Sequence, residues 1–490
     1  MEMDIRELLQ GAGYAVPTQL PSLVVSGVTD DSRRIRSGEV FVAIDGLRAN
    51  GADYAKAAAA AGAVLVVCEH PIEDLPVLTV PNARVAYARL AAAFCGHPEK
   101  ALALIGITGT NGKTTTAAML AHILRAAGRH VGLIGTVGNT VDGEPLFAAG
   151  KELSNMTTPD PAELFALLAM MRDRGADTVV MEVTSHALAL SKVEPLFFKR
   201  AVFTNLTPDH LDLHGDMERY FGEKCKLFTR CEQAIISLST PYGKRLYALH
   251  PSALTLGEHN LKNVCSTADG VRFTLLQATA PLKIAVPVPG LFTVENAALA
   301  ALTALSLGVP PGTTETALGT FPGVPGRMER VAENPLDIRI FIDYAHTPDA
   351  LEQLLHAARS FRKPGERIIL LFGCGGDRDR SKRSMMGRIG SRLSDLLILT
   401  SDNSRSEQPS AILSDILKGV DKERPYKVIE DRAEAIAFAV SAASPHDIVL
   451  LAGKGHEAYE IRGERRLPFS ERKLVKETVA KRLAEEGYAR

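Results

Sequence analysis

Residues 108 to 116 read Thr-Gly-Thr-Asn-Gly-Lys-Thr-Thr-Thr, a run whose residue types can hold the triphosphate of a nucleotide. Gly109 and Gly112 let backbone N–H groups approach phosphates, Lys113 supplies a point charge at the β/γ end, and Thr114 offers a hydroxyl to Mg²⁺. The spacing departs from the usual G-x-x-x-x-G-K-[ST], because the first glycine position falls on Ile107. The neighbours nevertheless fit a phosphate loop. The apolar run from Leu102 to Ile107 predicts a strand, and Thr116 to Ala127 carries apolar residues at helical spacing before Gly128.

Further candidates lie beyond this loop. Glu182 stands near the carboxyl end of the strand expected over Thr178 to Val183, where open α/β sheets bind ligands and a carboxylate can reach Mg²⁺. Thr184-Ser185-His186 sets a serine beside a histidine, as a nucleophile and base would be, although adjacent positions seldom face one another. The run Asp209-His210-Leu211-Asp212-Leu213-His214-Gly215 reads either as a polar loop with capping aspartates or, beside a nucleotide, as a site where His210 holds a second Mg²⁺. Lys224 and Lys226 fall in a helical stretch beginning at Tyr220 and read as an ordinary solvated face. Near the carboxyl terminus, Gly373 to Arg380, Ser401 to Arg405 and Gly453 to Glu457 each follow an expected strand. Three such loops should converge on one crevice, whose arginines suit bidentate capture of a carboxylate.

The elements that must position these residues fall into three blocks, as 490 residues require. The first, 1–98, mixes short strands such as 38–44 with an alanine-rich helix over 52–61; the second, 99–330, alternates strands and helices around the phosphate loop; the third, 331–490, repeats the alternation with strands near 338–344, 367–373, 396–402 and 447–453. The expected fold is α/β with three domains, the centre a mostly parallel phosphate-loop sheet and the last Rossmann-like without a G-x-G-x-x-G fingerprint. Lysine plus arginine (56) nearly equals aspartate plus glutamate (57), so no general field attracts nucleic acid or an anionic membrane. Six scattered cysteines without a C-x-x-C pair suit reduced thiols. With a charged amino terminus and no long apolar window, this places the chain in the cytoplasm.

Taken together, the phosphate loop, Met181 to His186, Asp209 to Gly215, Gly326-Arg327-Met328-Glu329, Asp343-Tyr344-Ala345-His346-Thr347-Pro348 and Gly453-Lys454-Gly455-His456-Glu457 resemble the Mur ligases, which form amide bonds with ATP in peptidoglycan precursor synthesis. The resemblance covers essentially the whole chain and implies a monomer. It implies that Gly109, Thr110, Asn111, Gly112, Lys113, Thr114 and Thr115 hold the ATP triphosphate, that Asn296 and Arg327 contact the nucleotide, and that Thr114, Glu182 and His210 associate with two Mg²⁺ ions. Lys224 aligns with a lysine carbamoylated in the family, which would make it an oxygen ligand for Mg²⁺.

For the substrates, the resemblance assigns the first block to a uridine-nucleotide-binding domain, through Asp31-Ser32-Arg33 and the loop holding Leu47, Arg48 and Ala49. Thr157, Thr158, Thr184, Ser185 and Lys192 then contact the muramoyl dipeptide of UDP-MurNAc-L-Ala-D-Glu. Met156 stands where asparagine is usual, and Lys192 where arginine is common. Asp402-Asn403-Ser404-Arg405 resembles the Asp-Asn-Pro-Arg motif of members that add meso-diaminopimelate, with serine in place of proline; Arg378, Gly453 and Glu457 match the remaining contacts. Rival readings are addition of L-lysine by the same kind of ligase, a folylpolyglutamate-synthetase-like ligase, and a nucleotide-driven switch or motor. The chain has no Asn-Lys-x-Asp guanine motif for the last.

Overall fold

The computed structural model describes residues 2–18, 20–46, 50–75, 77–146, 156–277, 280–331 and 335–486. Leu47, Arg48 and Ala49 lie outside the described residues.

Each block builds a sheet of its own. In the first, Gly27–Thr29, Glu39–Val42, Leu65–Cys68 and Val77–Thr79 pair in parallel, in chain order. The alanine-rich stretch opens as a 3₁₀ turn, Gly51–Tyr54, and becomes α-helical only over Ala55–Ala60. Gly51 is what lets that turn press on the sheet: a Cβ there would lie 2.4 Å from the Ile44 nitrogen.

The central sheet has eight strands, with Ala103–Thr108 between Thr178–Glu182 and Phe198–Phe203, all parallel. The antiparallel pair Thr140–Val141 and Glu144–Pro145 extends one edge. Strand Thr178–Glu182 is buried at every position, as expected where helices cover both faces. The helix after the phosphate loop begins at Lys113 and not at Thr116. Its first turn, Lys113-Thr114-Thr115-Thr116, carries no apolar period, so hydrophobic spacing alone places the start too late. A three-stranded antiparallel sheet, Leu261–Thr267, Gly270–Leu275 and Leu282–Val286, is an addition the sequence reading lacks.

The last sheet has six strands, ordered Glu329–Arg330, Arg339–Asp343, Ile448–Ala452, Ile368–Phe372, Leu396–Leu399, Tyr426–Val428, antiparallel only at the first pair. One apolar cluster runs from Met119, Leu120 and Ile123 of the phosphate-loop helix through Leu299 to Phe341, Leu354 and Leu370, so the second and third sheets are packed through a shared core. Among the described residues no helix is long and apolar enough to cross a membrane.

The link between those sheets turns at Gly326, at φ 69°, where a Cβ would lie 2.1 Å from the His456 nitrogen. Both the backbone conformation and the close approach exclude a side chain. Gly326→Ala is therefore expected to destabilise the protein by on the order of 2 kcal/mol, read as a lowered midpoint in denaturant-induced unfolding. An unchanged midpoint would mean that the linker moves freely against the Gly455-His456 loop.

Candidate active site

The phosphate loop is shaped by two glycines and clamped by its neighbour. Gly109 has φ 152° and Gly112 has φ 84°, and a Cβ at either would meet Thr204 Oγ1 at 1.9 Å or Asn296 Oδ1 at 2.4 Å. The Thr110 and Asn111 nitrogens donate to the Asn205 carbonyl (3.0 Å) and side-chain oxygen (2.9 Å), while Thr204 Oγ1 donates to the Asn111 carbonyl at 2.6 Å. Thr114 and Thr115 are buried in the first helical turn. Asn296, from the helix Leu291–Ser306, accepts from Thr116 Oγ1 at 3.3 Å and so seals the back of the loop. Lys113 folds over the loop, its Nζ 2.9 Å from the carbonyls of both Gly109 and Thr110.

Glu182 ends its strand as expected and meets the phosphate loop directly. Its Oε2 accepts from Thr114 Oγ1 at 2.8 Å, and its Oε1 from the Thr136 nitrogen at 2.7 Å. Arg327 reaches the same hydroxyl, with Nη2 3.3 Å from Thr114 Oγ1, and stacks on Tyr344 with its guanidinium carbon 4.6 Å from the ring centre. A buried carboxylate beside a threonine hydroxyl is an oxygen donor set suited to Mg²⁺. His210 is set further out: its side chain is 59% exposed and its Nε2 is 3.4 Å from Asp209. Among the described residues no three His, Cys, Asp or Glu side chains cluster as a metal cage, so the density of the 209–215 run does not itself make one.

Lys224 is not on a solvated face. It is 1% exposed, its Nζ donates to the Gly109 carbonyl at 2.9 Å, and it lies 4.8 Å from the centre of the Tyr220 ring. Burial and the nearby Lys113 ammonium hold its pKa well below that of a free lysine. Burial likewise lowers Lys113. The serine of Thr184-Ser185-His186 does bond a histidine, but the partner is His214, with Nε2 3.0 Å from Ser185 Oγ. His214 in turn stacks on Tyr220 at 4.9 Å, so the contact orients the wall of the site and leaves His186 out of any nucleophile–base pair.

The residues that the resemblance assigns to the dipeptide gather around the same strand end. Thr158 Oγ1 donates to the Glu182 carbonyl at 2.9 Å and to Thr184 Oγ1 at 3.3 Å, and Thr157 Oγ1 lies 3.0 Å from Thr136 Oγ1. Lys192 is buried, 2.7 Å from Asp160, and its Nζ is 3.7 Å from the Met156 sulfur. The first sheet approaches here: Asp30, two residues before Ser32, has its pKa raised by burial and by Asp160 across the domain boundary. Arg89 also pairs with Glu194 through two bonds of 3.0 and 3.1 Å.

The three carboxy-terminal loops converge. Asn403 donates from Nδ2 to Glu457 at 2.8 Å and accepts at Oδ1 from Lys454 and from the Ile461 nitrogen, each at 3.0 Å. Arg405, at φ 50°, places Nη1 2.8 Å from the Gly376 carbonyl. Burial and the charge of Arg378 lower its pKa. Burial and Asp402 raise the Glu457 carboxyl. Asp402 behaves oppositely: burial would raise it, but Lys454 and Arg432 outweigh that and keep it ionised to lower pH. Gly453, at φ 111°, lets Asp402 sit where a Cβ would be 2.7 Å from its oxygen. Ser404 is buried. The loop's rigidity, without a proline, comes from the hairpin Tyr459–Arg462 and Arg465–Pro468: the Arg405 nitrogen donates to the Ile461 carbonyl at 3.2 Å, and Gly463 donates back to the Arg405 carbonyl at 2.8 Å.

Several of these partners are invisible to sequence reasoning. Asp349, in the first turn of helix Pro348–Phe361, accepts from Asn111 Nδ2 at 2.7 Å and Thr207 Oγ1 at 3.3 Å, joining the third domain to the phosphate loop across 238 residues. Thr136 and Asp160 are equally unremarked in the sequence, and Tyr220 figures there only as the start of a helical stretch.

A glycine loop between the strand Ala103–Thr108 and the helix from Lys113, with a buried carboxylate–threonine pair beside it, defines a nucleotide-using enzyme. The chain belongs to the Mur ligase family: family models for the catalytic domain, the middle domain and the glutamate ligase domain match residues 24–105, 107–304 and 326–455. It is similar to UDP-N-acetylmuramoyl-L-alanyl-D-glutamate--2,6-diaminopimelate ligases of Clostridium botulinum, 41% identical over 92% of this chain and 94% of that protein, and of Caldanaerobacter subterraneus subsp. tengcongensis, 40% identical over 98% and 99%. A solved structure of an enzyme of that same name superposes with a TM-score of 0.69 at 28% identity, covering 98% of this chain and 99% of the other.

The Gly375 to Asp377 and Ser404 to Glu407 loops are tied by Glu407, which accepts from Arg383 (2.8 and 2.9 Å) and from the Asp377 nitrogen (2.7 Å). The Arg383 guanidinium holds the Glu407 carboxyl down to about 2. A depressed carboxylate stabilises above its unfolded pKa and loses that stabilisation as pH falls through the folded value. The stability difference between wild type and Glu407→Gln should therefore be constant near neutrality and shrink from about pH 4.5 toward 2. A difference that does not change with pH would assign Glu407 a purely steric role.

Proposed function

We propose that this protein is an ATP-dependent ligase that joins meso-diaminopimelate to the D-glutamate carboxylate of UDP-MurNAc-L-Ala-D-Glu, releasing ADP and phosphate. In this reading residues 1–98 bind the uridine nucleotide, 99–330 bind ATP and 331–490 bind the incoming amino acid. The observation that carries it is that the phosphate loop is joined to candidate residues of two blocks. Asn111 touches Asp349 of the third block and Thr114 touches Glu182 beside Thr158 and Thr184, while in the third block Asn403, two residues before Arg405, holds Glu457.

The residues divide the reaction as follows. Gly109 to Thr115 cradle the triphosphate with the Lys113 ammonium and the backbone N–H groups that the Asn205 clamp leaves free, with Asn296 and Arg327 at the nucleotide's flank. The γ-phosphoryl passes from ATP to the glutamate carboxylate, giving an acyl phosphate and ADP; Lys113 and Arg327 stabilise the charge that moves. The amine of the acceptor then attacks the acyl carbon, loses a proton, and phosphate leaves. Thr114, Glu182, His210 and Lys224 as its carbamate would hold Mg²⁺, which neutralises phosphate charge when bound. Lys224 suits that modification because burial and Lys113 favour the neutral amine that reacts with CO₂. Thr157, Thr158, Thr184, Ser185 and Lys192, with Ser32 and the 47–49 loop, would hold the muramoyl dipeptide.

Diaminopimelate ends its side chain in an ammonium and a carboxylate, whereas lysine ends in an ammonium alone. Arg405 and Arg378 offer charge to the carboxylate, and Glu457, held by Asn403, offers an oxygen to the ammonium. Phosphate release from ATP with UDP-MurNAc-L-Ala-D-Glu should therefore proceed with meso-diaminopimelate and far more slowly with L-lysine. Arg405→Ala should cost about 2 to 5 kcal/mol of that discrimination. Equal rates with both amino acids would overturn the acceptor assignment.

The carbamate makes a separate expectation. Enzyme prepared without CO₂ should lose turnover and regain it on adding bicarbonate, and Lys224→Ala should not respond. Activity indifferent to bicarbonate, with an unmodified Lys224 in the mass spectrum of the Mg²⁺-loaded enzyme, would remove the carbamate from the mechanism.

A further inference from the structure

Beneath the acceptor loops lies a buried cation that the reaction as described does not use. Arg432 opens the helix Arg432–Ala442 and is 0% exposed. A cation at a helix amino terminus opposes the helix dipole, and a buried one must also be desolvated. The position is held by a full set of bonds. Nε donates to Glu471 at 2.9 Å, Nη1 to the Ser401 carbonyl at 3.2 Å, and Nη2 to the Ala452 carbonyl at 2.8 Å. Glu471, at the start of the last helix, is 2% exposed, and its second oxygen has no partner among the described residues.

The two carbonyls are the informative part. Ser401 immediately precedes Asp402-Asn403-Ser404-Arg405, and Ala452 immediately precedes Gly453-Lys454-Gly455-His456-Glu457. Strands Leu396–Leu399 and Ile448–Ala452 do not pair; Ile368–Phe372 runs between them. Because the peptide unit is planar, fixing the Ser401 and Ala452 oxygens also fixes the N–H of Asp402 and Gly453 and the direction in which each loop departs. A single planar fork therefore sets two loops that no ladder joins. Lys454, also 0% exposed, carries the constraint upward, with Nζ 3.0 Å from both Asn403 Oδ1 and the Tyr459 carbonyl. Asn403 in turn holds Glu457.

Resting on the ligase reading above, we propose that Arg432 is a positioning residue for the incoming amino acid: it holds the Asp402–Arg405 and Gly453–Glu457 loops at the separation that lets Arg405 and Glu457 grip the carboxylate and the ammonium at the distal end of one acceptor. It touches neither substrate nor nucleotide itself.

The test compares wild type, Arg432→Lys and Glu471→Gln by phosphate release, with KM measured separately for ATP, UDP-MurNAc-L-Ala-D-Glu and the acceptor, alongside thermal unfolding. Lysine keeps the charge but lacks the fork, so its acceptor KM should rise about tenfold or more while the other two KM values stay within about twofold. The ratio of diaminopimelate to lysine turnover should fall with it. Glu471→Gln leaves both carbonyl bonds and should move the acceptor KM in the same direction by less, which keeps the test open if Arg432→Lys does not fold. The acceptor used is whichever of diaminopimelate or L-lysine the wild type turns over, so failure of the acceptor assignment is seen in the wild type and does not touch the Arg432 comparison. Equal changes in all three KM values, or a lowered unfolding temperature with unchanged acceptor KM, would overturn the proposal.

Discussion

Two buried ammonium groups share one carbonyl, and much of the site follows from that. Lys113 and Lys224 both donate to the Gly109 oxygen, and the Lys113 ammonium adds to the burial that lowers the tendency of Lys224 to carry a proton. Like charges this close are costly unless anions answer them. Glu182 and Asp209 supply part of the answer from inside the chain. The remainder suits a polyanion. The loop is thus organised as a cationic floor, and the elements around it act as walls: the Asn205 clamp, the Asn296 seal and the Tyr220 ring that lies against Lys224.

Much of this floor was legible in the sequence, because its signals are local. Glycines at 109 and 112 with a lysine and threonine behind them, an apolar strand before and a helix after, need only nine adjacent residues to be read. Strand ends were equally legible, since parallel strands buried on both faces write themselves as unbroken apolar runs such as Ile368–Phe372. The helix reads as starting late because its first turn, Lys113 to Thr116, is engaged by polar contacts with the loop rather than by an apolar face. Lys224 was read as a solvated lysine for a related reason. Its neighbours Glu223 and Lys226 form an ion pair in which Lys226 is exposed, and nothing local says that the chain turns position 224 inward.

What stayed illegible is long-range by nature. Asn111 and Asp349, or Arg432 and the two carbonyls it joins, are brought together by the packing of separate sheets, and no spacing in one dimension encodes that. The replacement of a rigid proline by Ser404 is a case in point. From the sequence it removes a constraint; in the fold the Arg405 backbone is paired on both sides with a hairpin sixty residues further along, so the constraint has moved rather than vanished.

The pair Arg378 and Arg405 has an effect on how the protein responds to its medium. Neither forms an ion pair among the described residues, and burial together with the charge of Arg378 disfavours the charge on Arg405. The chain as a whole has a formal net charge of −1, so no broad field gathers anions toward it. The pull of the two arginines is confined to within a Debye length, about 10 Å at ordinary ionic strength. Small dissolved anions are therefore natural competitors for that corner of the crevice. On the proposed reading, ionic strength becomes a control on how readily a zwitterionic amino acid is captured there.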